Sequence, residues 1–257
     1  MAQYNNRYAP TGTTRTEGAV VDQGLRSYML GVYNYMTFAV ALTGVVAFAT
    51  MAFLTTNDPA LAAAKLRNGV MLTAAGKAVY LSPLKYVIMF APLAFILLMS
   101  FARMSAATAQ LVFWAFAVVM GVSMSWIFMV YKLGSIGQIF FITAAAFASL
   151  SLYGYSTSKD LSGWGSFLIM GVVGILLAGI VNIFLQSGAL QFAISVIGVL
   201  IFAGLTAYDT QRIKDEYYTV AGDGEAMKSA SIFGALTLYL DFVNMFQFLL
   251  SLFGSRE

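Results

Sequence analysis

Leu238-Tyr239-Leu240-Asp241-Phe242-Val243-Asn244-Met245-Phe246-Gln247-Phe248-Leu249-Leu250-Ser251-Leu252-Phe253-Gly254 decides how the chain reads. The run is apolar enough to cross a bilayer, which takes roughly 20 helical residues at about 1.5 Å of rise each. A carboxylate stands near its middle. A charge at that depth costs on the order of 3 kcal/mol, so Asp241 must face protein or water rather than lipid. Thr237, Asp241, Asn244, Gln247 and Ser251 recur at steps of four, three, three and four, which places them on one helical face. A helix with such a stripe needs neighbours to cover it, and the rest of the chain reads as that cover.

The composition agrees. Of 257 residues 60% are hydrophobic and 10% charged, with a mean hydropathy of +0.80. A soluble domain carries about 25% charged residues, so this is an all-α membrane protein. The net charge of +3 is small and scattered and does not argue for nucleic acid. Cysteine and histidine are absent, which excludes disulfides, zinc sites built on those residues, and Ser-His or Cys-His catalytic pairs. Proton sensing near neutral pH would fall to carboxylates.

Working outward, apolar spans fall at about 28–54, 83–102, 106–131, 136–155, 164–186, 189–211 and 230–253. Seven helices is the count; six plus a half-inserted segment is its competitor. Residues 1–27 read as a disordered cytoplasmic tail without a cleavable signal. The longest loop, Thr55–Ser82, is expected to hold a short helix at Ala60–Leu66, and Arg212–Lys228 reads as a charge-dense loop. Lysine and arginine divide eight to six in favour of the side holding the N-terminus, which predicts that this side is cytoplasmic.

Three ionisable residues lie in or at the edge of these spans: Arg103, Asp209 and Asp241. The predicted topology brings all three into the inner half of the membrane. Two carboxylates in one low-dielectric site cannot both ionise cheaply, so one would keep a proton at higher pH than a free Asp does. An arginine beside them pairs bidentately and can act as a latch. With both acids ionised, Asp209 and Asp241 are candidate ligands for Ca²⁺, supported by Asn244, backbone carbonyls or water. Tyr208 and Gln247 are further candidate supporting polar residues. The bland alternative is that Asp209 merely ends its helix beside Arg212, that Asp241 is neutral in the core, and that Arg103 is a topological anchor.

Three function classes compete. The first is a cation leak gated by the aspartates. The second is an intramembrane aspartyl protease: Tyr208-Asp209 matches the Tyr-Asp half of a presenilin-type signature, but Leu238-Tyr239-Leu240-Asp241 stands where Gly-x-Gly-Asp is required. An enzyme is therefore not expected. A rhomboid-like serine protease fails for want of histidine, and a microbial retinal protein for want of a lysine in the last span. The third is a regulatory protein that binds a membrane partner through its loops.

Ala203-Gly204-Leu205-Thr206-Ala207-Tyr208-Asp209-Thr210-Gln211-Arg212-Ile213-Lys214, Leu236-Thr237-Leu238-Tyr239-Leu240-Asp241-Phe242-Val243-Asn244-Met245-Phe246 and Val181-Asn182-Ile183-Phe184 resemble the transmembrane Bax inhibitor motif family, in the manner of a bacterial member. The resemblance covers residues 28–254. It implies a seven-helix fold with the last helix central and the other six around it. It also implies a pH-sensitive calcium leak in the bacterial inner membrane, with Asp209 and Asp241 as the sensor and Arg103 as the latch. Beyond calcium ions and the lipid bilayer, the implied partner is a membrane-anchored AAA protease, whose regulation is the alternative function. No cofactor is implied.

Overall fold

The computed structural model describes residues 13–66, 69–101 and 104–256, with the side chains of residues 13–22, 100 and 101 left aside. The last helix, α9 (Gly224–Phe253), is buried on every side from Ala230 to Leu250, with no exposed residue between them. It packs on α1 (Thr13–Leu54), α4 (Ala106–Met124), α6 (Leu133–Ser156) and α8 (Gly188–Val220). Two more spans form an outer layer: α3 (Leu84–Phe101) lies on α4, and α7 (Ser162–Leu185) lies on α8. The last helix is thus central, as expected, but four helices rather than six make most of its cover.

Among the described residues the spans number six, or seven when a broken pair is taken as one. That pair is α2 (Ala74–Leu81) and α3, bent by 69° at Ser82–Pro83. Proline disfavours helical backbone at the residue before it, and Ser82 is extended at φ −108°, ψ 172°. The expected span at 106–131 is a single span, Ala106–Val130, with a turn at Ser125–Trp126 between α4 and the one-turn α5 (Ile127–Val130).

Three boundaries differ from the sequence reading. The first helix begins at Thr13 rather than Tyr28, since no proline follows Pro10 to interrupt it, so residues 13–27 are helical and not a disordered tail; residues 1–12 lie outside the described residues. In place of a helix at Ala60–Leu66 there is a 3₁₀ turn, Pro59–Leu61, and a small antiparallel sheet ordered β1 (Thr55–Thr56), β3 (Met71–Leu72), β2 (Ala64–Lys65). Asp58 caps the turn and Pro59 opens it.

The third difference is the charged stretch Arg212–Lys228, which is not a loop. α8 continues to Val220 because Ile213 and Tyr217, four apart, form a buried stripe while Asp215 and Glu216 face out. Only Ala221-Gly222-Asp223 separates α8 from α9. Gly222 takes a φ of 99°, in the left-handed region where a side chain is strained, and Asp223 caps α9 by accepting from the amides of Glu225 and Ala226, both at 3.0 Å. This tight hairpin sets the register between the two aspartate-bearing helices.

Candidate functional site

Asp209 lies on α8 and Asp241 on α9, where the hairpin turns their side chains towards each other. Both are buried, at 5% and 3% exposure, and their carboxyl groups lie close enough to interact directly. The buried Oδ2 atom of Asp241 has no hydrogen-bond partner among the described residues. On its far side Asp209 is held by Arg212, whose Nη2 lies 2.8 Å from Oδ1.

The arginine opens the site to one side. Arg212 is half exposed and lines a cleft of about 670 Å³ between α3, α8 and α9, with Glu216, Asp215 and Thr237 among its walls. The cleft therefore connects a charged surface to the buried carboxyl pair through one guanidinium. Among the described residues no three acidic side chains converge on a common point.

The other candidates are distributed differently. Asn244 turns back on its own helix, its Nδ2 donating to the Leu240 carbonyl at 2.8 Å. Tyr208 is carried to the other side of α8, its ring against Gly165 of α7. Gln247 is half-buried further along α9. Thr237 donates to the Phe233 carbonyl at 3.1 Å, and Ser251 accepts from Ser195 of α8 at 3.1 Å. The polar stripe thus acts as a series of separate ties, with the acid pair as its one shared element. Arg103 lies outside the described residues, and the arginine found at Asp209 is Arg212. The signal for it was in the sequence, since residues three apart on a helix are neighbours.

A second polar network, which sequence reading missed, locks α9 to α1 and α4. Thr43 donates to the Ala117 carbonyl at 2.9 Å, so the Tyr239 hydroxyl, 2.7 Å from the Thr43 oxygen, must donate to it. Tyr239 is fully buried, between Phe113 and Phe116.

The model of the family described as inhibitor of apoptosis-promoting Bax1 matches residues 25–257, which contain all of these groups. The chain belongs to this family. Similar bacterial proteins include one from Caulobacter vibrioides, 44% identical over 100% of both chains. A Rickettsia prowazekii protein is 43% identical over 97% of this chain and 98% of its own. The inner membrane protein YbhL of Escherichia coli K12 is 39% identical over 91% of this chain and 94% of its own. Family membership and the six or seven apolar spans agree on a multi-pass membrane protein.

Proposed function

We propose that the chain is a pH-sensitive calcium leak of a bacterial inner membrane, with Asp209 and Asp241 as its proton-dependent element. The observation that supports this most is the meeting of two buried carboxyl groups on consecutive helices beside one arginine. With one proton shared, the pair carries a single negative charge, which Arg212 offsets. Gain or loss of that proton changes the charge at the α8–α9 contact by one unit. At roughly 4 Å and an effective dielectric of about 20, one such charge pair interacts by about 4 kcal/mol, enough to shift a two-state helix contact. A divalent cation is the natural counter-ion for the doubly ionised pair. Arg103 keeps the latch role that the resemblance implies, and Arg212 joins it as the arginine seen at Asp209. The inner-membrane location draws on YbhL, which bears that name.

Regulation of a membrane-anchored protease is the other reading, and it would draw on Met1–Arg26 or on Arg212–Lys228, where Arg212, Asp215, Glu216 and Tyr218 are exposed on α8. Such a role survives neutralisation of the aspartates, whereas the leak does not.

The test is calcium entry into proteoliposomes holding a trapped indicator, from about pH 5 to about pH 8, for the wild type, Asp209→Asn and Asp241→Asn. The expected result is a flux that varies with pH in the wild type and is insensitive to pH in either variant. Wild-type flux no greater than that of empty liposomes removes the proposal.

A further inference from the structure

α1 and α6 both pack on α9, yet they leave a groove of about 790 Å³ between them. Met29, Met36, Phe147 and Phe242 form its buried floor, and Leu30 and Leu152 stand exposed on its rim. Two of its polar side chains, Tyr33 and Ser151, are satisfied inward. Thr210 donates to the Thr206 carbonyl at 2.7 Å, so Ser151 donates to Thr210 at 2.9 Å, and Tyr33 in turn donates to Ser151 at 2.5 Å. The Tyr33 hydroxyl hydrogen is thus used up on the protein. What remains for an occupant is mostly hydrocarbon and ring surface, with the Thr37 and Tyr155 hydroxyls.

One end differs. Arg26 is exposed there beside Tyr155, and Lys214 reaches the same residue, its ammonium donating to the Tyr155 carbonyl at 2.9 Å and lying 5.5 Å from the ring centre. Glu216, an acid of the same helix, lines the separate cleft beside Arg212. The groove runs along α1 from Arg26 to Ala41, about 22 Å at 1.5 Å per residue. That is the depth of one leaflet with its headgroup layer, half of about 40–45 Å. Both walls belong to membrane-spanning helices, Gln23–Leu54 and Leu133–Ser156, so the groove opens where acyl chains are the solvent.

We infer that this groove binds one anionic glycerophospholipid, its acyl chain on the Met36–Phe147–Phe242 floor and its phosphate at Arg26 and Lys214. Length, apolar floor and the placement of cations at one end only fit a lipid better than a helix, which would meet the same surface without using the charge. The site is independent of the proposed leak. Its floor nevertheless includes Phe242, the residue after Asp241, so occupancy bears on the same helix.

The experiment uses the full chain in liposomes of neutral lipid carrying a trace of phosphatidylglycerol with a photoreactive acyl chain, followed by peptide mapping. Labelling of Met36 and Ala144 should exceed several-fold that of Ile183 and Phe184, which are exposed on α7. Ala148→Trp on the rim should abolish groove labelling and leave the α7 labelling intact, which also reports that the variant is folded; Ala41→Trp, on the opposite wall, is the second such variant. Unlabelled phosphatidylglycerol should compete several-fold better than phosphatidylcholine, and Arg26→Gln with Lys214→Gln should erase that preference. Groove labelling no higher than that of α7, labelling untouched by both Trp variants, equal competition by phosphatidylcholine, or chain-to-chain adducts in place of lipid adducts would each overturn the inference.

Discussion

Arg212 reaches back one turn of α8 to Asp209, and the two ends of this 2.8 Å ion pair sit in different surroundings: the guanidinium is half exposed and the carboxylate is buried. The charge of the buried acid pair is therefore tied to the protein surface by one side chain.

The pair is asymmetric, and so are the expected costs of altering it. Asparagine at position 241 keeps the shape and can donate an amide hydrogen to Asp209, which stays bonded to Arg212. Asparagine at position 209 removes the anion that Arg212 faces. Asp209→Asn should therefore lower stability more than Asp241→Asn, by about 1–2 kcal/mol, a partly exposed charge-assisted bond being worth about that much. Thermal unfolding in one detergent checks the order, and equal midpoints would count against the asymmetry.

Arg212→Gln leaves Asp209 buried without its cation, while Arg212→Lys restores the charge but not the fork of donors. The expected order of melting temperatures is wild type, then Lys, then Gln, with the Gln variant less stable by about 1–3 kcal/mol. An unchanged melting temperature in Arg212→Gln would mean that the ion pair contributes nothing in detergent.

Tyr239→Phe removes one hydroxyl and leaves the Thr43 oxygen without its donor, while Thr43 still reaches the Ala117 carbonyl. The fully buried ring keeps its packing. The expected loss is about 1 kcal/mol, and Thr43→Val combined with Tyr239→Phe should cost less than the sum of the two single changes, because they share one network.

Gly154 of α6 lies directly on the Ala207 backbone of α8, so that an added Cβ would collide with main chain. Gly174 of α7 has open space at the same point. Gly154→Ala should destabilise by about 1–3 kcal/mol, and Gly174→Ala should be neutral or slightly stabilising, because alanine is the better helix former.

Much of this was legible in the sequence, for identifiable reasons. Hydropathy locates spans because lipid leaves the backbone few choices, and Asp241 announced the central helix because a mid-span carboxylate must be covered. The Asp209–Asp241 meeting followed from their depths on consecutive helices. Other features depend on packing that composition does not carry. Arg212–Val220 looked like a loop because its charges hide the Ile213–Tyr217 stripe, which continues the helix. Tyr208 neighbours Asp209 in sequence but faces α7, since a helix turns about 100° per residue and only neighbouring helices decide which face is used. The break between α2 and α3 was present in Ser82-Pro83, inside what read as a loop.

The shared proton is the central claim, and infrared difference spectroscopy of carboxyl groups in reconstituted protein, titrated with pH, reads it directly. The wild type should show a protonated buried carboxyl whose titration involves both residues, so that Asp209→Asn and Asp241→Asn each change the titration of the acid that remains. Two carboxyl signals that titrate independently, with each unaffected by replacing the other, would contradict it.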